Sequence, residues 1–125
     1  MRVVVAPEAT GPGLDAGRAA AAIRAGFSDA APGTGFADTP DDGADLVVTA
    51  LAVLDWRALR DSPLVALAAA AAARGVPCVV LAGEVLAGRR ELGAIGVDAT
   101  HEVGPDPAAA ALRTAAARVA ARWVR

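Results

Sequence analysis

The sequence predicts an α/β domain in which a mostly parallel sheet of about four to five strands lies between helices, as a Rossmann-like or flavodoxin-like three-layer sandwich. Three observations lead there. Short apolar runs recur at Val3–Ala6, Asp45–Thr49 and Val76–Ala82, as in strands buried on both faces of a parallel sheet. These runs alternate with helical segments that carry their own start and stop residues. Finally, 55% of the chain is hydrophobic but only 3% aromatic, with alanine prominent, so the layers must approach closely to fill space.

Val3–Ala6 predicts the first strand and Pro7–Gly13 the loop after it. Asp15 is placed to cap a helix reaching about Ala30, with Ala19, Ile23, Gly26 and Phe27 on one face. Pro32–Gly35 breaks the chain, a weak strand follows near Gly35–Asp38, and Thr39–Gly43 is polar turn sequence. The second strong strand is Asp45–Thr49, continuing toward Leu51, and Leu54–Arg60 carries no clear period. Ser62 and Pro63 predict a helix start with a capping hydroxyl, and Gly75 its end. Val76–Ala82 is the third strong strand, with Gly83–Glu84 as its exit loop. A helix through Arg89–Ile95 stops at Gly96, and Val97–Val103 supplies the last strand. Pro107 begins the final helix, whose inner face reads Leu112, Ala115, Ala116, Val119 and Trp123. The 125 residues suit one domain, 1–125, with a core of its own.

Composition narrows the function. The net charge of −2, without a basic block, excludes an electrostatic nucleic-acid footprint. All 12 basic residues are arginine, so no lysine can grip a phosphate. The single cysteine, Cys78, sits in an apolar run as a core residue and cannot form a disulfide within the chain. No secretory leader follows Met1, and no uncharged run reaches the ~18–20 residues that span a bilayer. A cytoplasmic protein without membrane contact is expected.

Ligands of open parallel sheets bind beyond the carboxyl ends of the strands. That marks four loops: Glu8–Gly13, Ala50–Asp55, Gly83–Glu84 and the turn after Val103. The first leads to a helix N-terminus and carries Gly11 and Gly13, but Pro12 removes one N–H donor. It reads either as an ordinary strand–helix turn or as a surviving ligand loop. Asp41, Asp42 and Asp45 are either turn chemistry or oxygen ligands of the kind Mg²⁺ takes. His101 is alone, with no nucleophile or metal partner near it in sequence. Its place is a solvent-facing or edge-strand position. No nucleophile elbow or Cys-x-x-Cys pair occurs. Between Pro63 and Ala73 no residue is charged. Either alanine tolerates exposure there, or the face meets another subunit or partner protein, a homodimer included.

Several segments together resemble the bacterial type 1 glycerate kinases. Those enzymes open on a strand and Ala-Pro-Asp-Ser-Phe-Lys-Gly-Ser-Leu, then a helix with Ala-Ile-x-x-Gly-Phe. This chain has Ala6, Pro7, Glu8 and Leu14, then Ala22, Ile23, Gly26 and Phe27. Pro40, Asp42 and Gly43 follow the start of the family's Pro…Asp-Gly-Gly-Glu-Gly stretch. Ala44–Thr49, with Leu54 and Asp55, is similar to its late Ala-Asp-Leu-Val-Ile-Thr-Gly-Glu-Gly-Arg-Leu-Asp motif. The run Gly75–Gly83 and the segment Gly96–Ala99 also have counterparts. The resemblance implies that the chain corresponds to the lobe built from both termini of a two-lobed kinase, the middle being missing at a junction near Gly43–Ala44.

The departures fall on the charged positions. Gly11 stands where the family has lysine, and Ala9 and Gly13 where it has serine. Leu51 and Val53 replace its glutamate and arginine, Ala50 and Ala52 its glycines, and Arg57 and Asp61–Ser62 its glutamine and Gly-Lys. Phosphoryl transfer rests on positioned charge. The expectation is therefore a glycerate-kinase-like protein that binds a ligand or partner without turning it over. No catalytic residue, metal ligand or cofactor is assigned. Candidate binding residues are Glu8, Thr10, Gly11, Gly13, Asp42, Gly43, Thr49, Asp55, Gly83 and Glu84. The alternative is a subunit of a reassembled glycerate kinase, completed by a second copy or another chain, which would use ATP and Mg²⁺. A receiver-like signalling domain is disfavoured, because Glu8 stands alone after the first strand and lysine is absent.

Overall fold

The computed structural model describes residues 1–124. Five strands alternate with helices: β1 Arg2–Val5, α1 Ala16–Ala30, β2 Gly35–Ala37, β3 Leu46–Leu54, α2 Ala58–Asp61, α3 Pro63–Ala73, β4 Cys78–Val85, α4 Arg89–Ile95, β5 Ala99–Glu102 and α5 Ala109–Trp123. A 3₁₀ turn, Pro40–Asp42, precedes β3. All strand pairs are parallel, in the order β2-β1-β3-β4-β5. The expected α/β sandwich is therefore present, with the flavodoxin-like strand order.

Alternate residues of each strand feed two cores, one on each face of the sheet. Val3, Val5, Leu46, Val48, Val79 and Leu81 pack with Ile23 and Phe27 of α1 and Leu112, Ala116 and Val119 of α5. Val4, Val47, Leu51, Leu54, Cys78 and Val80 pack with Ala58 of α2, Leu64, Ala68 and Ala71 of α3, and Leu92 of α4. Small side chains let α1 and α5 touch. A Cβ on Gly26 would overlap the Arg113 carbonyl and lie 2.7 Å from the Ala116 Cβ. Asp29 and Arg113 then tie the two helices through a two-pronged ion pair at 2.6 and 2.7 Å.

The structure corrects several sequence expectations. β3 runs to Leu54 and β4 to Val85, so Ala50–Leu54 and Gly83–Glu84 are strand, not loop. The two strands hold each other in register there, Val53 opposite Glu84 and Leu54 opposite Val85, beyond the ends of β1 and β5. β4 starts at Cys78 rather than Val76, and β5 is shorter than Val97–Val103. The Leu54–Arg60 segment resolves into the end of β3 and the short α2. α5 begins at Ala109, with Pro107 buried ahead of it. Ser62 precedes α3 but does not cap it, because its hydroxyl donates to the Ala58 carbonyl at 2.6 Å and closes α2 instead. After Pro63, the exposed positions of α3, Ala66, Ala69, Ala70, Ala72 and Ala73, are all alanine. Among the described residues, no helix is long and apolar enough to cross a membrane.

Candidate functional site

The strand order changes direction between β1 and β3, so the loops that leave these two strands flank the switch-point crevice. Pairing between them continues past β1. The N–H of Ala6 donates to Val48 O at 3.0 Å and that of Glu8 to Ala50 O at 2.7 Å. This pins Glu8 to β3 and carries it over the sheet's carboxyl end. Thr49, almost fully buried, donates its hydroxyl to Ala6 O at 2.8 Å and anchors the same loop from beneath.

The resulting crevice, of about 430 Å³, is lined by Glu8, Leu51, Val53, Asp55, Arg57 and Asp61, among others. Glu8, Asp55 and Asp61 place three carboxylates there against the single guanidinium of Arg57. One Glu8 oxygen, Oε2, is buried without a hydrogen-bond partner. Burial pushes the Glu8 carboxyl above its usual pKa. The Leu64 backbone at the start of α3 draws it partly back. Glu8 thus faces the helix start that Ser62 leaves uncapped.

Asp55, the acid retained from the late family-like motif, does local work. Its Oδ1 accepts the N–H groups of Arg57 at 3.1 Å and Ala58 at 3.0 Å, which fixes the start of α2. Two large apolar groups are exposed near the ends of β3 and β4: Trp56 at 59%, between the lining residues Asp55 and Arg57, and Leu86 at 68%, whose N–H donates to Leu54 O at 2.9 Å. Of the lining itself, Val53 is exposed. Arg57 and Arg60 both lie against the Trp56 ring, 5.4 and 5.9 Å from its centre. Sequence reading passed over this apolar exposure. Its signal was a tryptophan followed by two arginines, Arg57 and Arg60, in the one segment without a clear period.

The remaining candidates fall elsewhere. Gly11 and Gly13 border a second cavity of about 280 Å³, together with Arg18, Asp106 and the residues leading into α5. Thr10 is buried between the two cavities in sequence, with an unpartnered hydroxyl. Asp42 and Gly43 lie in the turn before β3, at the amino end of that strand, beside the Asp41–Arg74 ion pair of 2.8 Å. They are not brought to the crevice. Gly83 is buried within β4, where a Cβ would come 2.5 Å from Ala52 O, and Glu84 is exposed opposite Val53. Among the described residues, no group of three His, Cys, Asp or Glu side chains is arranged to hold a metal.

His101 sits half-buried on β5, an edge strand as expected, and burial followed by the Arg122 charge pushes its pKa down. Cys78 is fully buried, and its thiol is pushed up to about 12 by burial and then by Asp98.

Comparison with known families places this geometry. A model of the glycerate kinase family matches residues 13–124, nearly the whole chain. No curated protein matches the sequence.

Proposed function

Because the chain belongs to the glycerate kinase family, we propose that it is a non-catalytic, single-lobe member that acts by binding a partner at its strand ends. The observation that carries this reading is the charge of the switch-point crevice, Glu8, Asp55 and Asp61 against Arg57. A nucleotide's phosphates need positive charge and backbone donors at that place. Here they would meet three carboxylates, and Asp55 is already engaged with the start of α2. The exposed Trp56 and Leu86, near the ends of β3 and β4, supply apolar anchors of the kind typical of a protein contact.

A steady-state assay of ATP-dependent glycerate phosphorylation tests this. The expected result is no turnover above the protein-free background. Robust turnover that Asp55→Ala abolishes would overturn the reading.

The same exposed apolar groups favour a second reading, in which another copy or a separate chain covers the strand ends and rebuilds a kinase that uses ATP and Mg²⁺. The residues replaced in the family-like motifs lie in this chain itself, so a partner that supplies only the missing lobe does not restore them. A monomeric mass at high protein concentration, and no stoichiometric partner recovered from native lysate, would remove this second reading.

A further inference from the structure

β5 forms one edge of the sheet, and its outer backbone row has no strand partner. Such an edge is a ready template for another extended segment. Along it lies a groove of about 530 Å³, lined by Arg89, Leu92 and Gly93 of α4, by Ala99, Thr100 and His101 of β5, and by Arg122 of α5. Neither Arg89 nor Arg122 has an ion-pair partner among the described residues. The carboxylate in the groove, Asp98, has one oxygen taken by the Cys78 N–H at 2.8 Å. The lining therefore combines two guanidinium groups without an ion-pair partner among the described residues, a free backbone edge, and the half-buried Ala99 over the buried Leu92 and Val97.

We propose that this groove binds an extended acidic segment of another protein, added as a strand to the outer edge of β5 with its carboxylates on Arg89 and Arg122. Backbone pairing supplies affinity in this mode, and alternate side chains supply specificity. Charge decides against a second copy as the occupant. Two β5 edges paired about a two-fold axis would bring the same pair of arginines together from both sides. The groove shares no residue with the strand-end crevice, so this proposal and the reading of that crevice stand or fall separately.

The test is a titration of the isotope-labelled protein, followed by NMR, with an octapeptide that alternates valine and glutamate. Controls are the matching valine–lysine peptide and a glutamate peptide interrupted by prolines, which lacks the backbone donors for strand pairing. His101 is the chain's one histidine, so its ring gives an unoverlapped signal within the groove.

The proposal expects saturable movement of the Ala99–Glu102 amides and the His101 ring with the glutamate peptide alone. Arg89→Ala and Arg122→Ala, both at exposed positions, should each weaken binding by about 2- to 5-fold. It is overturned if the glutamate peptide does not bind, if the proline peptide binds equally, or if inorganic phosphate reproduces the shifts. Self-association through β5 without any peptide overturns it as well.

Discussion

Glu8 shows how backbone pairing can put a carboxyl where its charge is costly. Pairing with β3 drives its carboxyl into the crevice, where Oε2 finds no partner and burial raises the pKa. The native state then holds this proton more tightly than the unfolded chain does. Stability attributable to Glu8 is therefore lost as pH rises from its ordinary value of 4.5 through the raised folded value. Glu8→Gln should raise the thermal midpoint at neutral pH and show no advantage below 4.5, as parallel melts across pH would show. Cys78 is a second case. With its thiol fully buried and pushed up to about 12, it should resist alkylating reagents until the protein unfolds. A thiol assay with and without denaturant checks this. Its burial was legible from the apolar run around it. The orphaned oxygen of Glu8 was not, because it arises from the β1–β3 register.

Among the elements, the starts and stops that depend on local chemistry were legible in the sequence. Asp15 caps α1 by accepting the Arg18 N–H at 2.8 Å, and Gly96 ends α4 with a positive φ. What sequence could not give was strand length. β3 and β4 extend each other past their neighbours, and only the pairing of Val53 with Glu84 and Leu54 with Val85 reveals it. The α3 start was placed correctly on a partly wrong mechanism, since the Ser62 hydroxyl serves α2. Gly26 and Gly93 offer an element-scale test in opposite directions. Gly26→Ala forces α1 from α5 and should cost about 1–3 kcal/mol. Gly93→Ala, in α4 with open space around the added methyl, should gain up to about 1 kcal/mol. Chemical denaturation of both variants measures the contrast.

At the scale of the whole molecule, two facts stand together. The chain belongs to the glycerate kinase family across nearly its full length, and the strand-end crevice where that fold binds ligands carries excess negative charge. The family was legible because segments that resemble its motifs occur in order within the matched residues, from Ala22–Phe27 to Ala44–Thr49 and Asp55. Structure explains part of that resemblance by packing alone. Gly26 permits helix contact, Thr49 anchors the first loop, and Asp55 fixes the start of α2. The exposure of Trp56 and Leu86 was not legible, because it follows from where β3 and β4 end.

The most direct measurement is the thermal midpoint with and without ATP, ADP, glycerate and phosphoglycerate, each with Mg²⁺. A ligand at a hundred times its dissociation constant adds about 2.7 kcal/mol. In a domain of this size that is a rise on the order of 10 °C. The account predicts no shift with any of them. A saturable rise with ATP or phosphoglycerate would contradict it, because the crevice would then still be accepting phosphate.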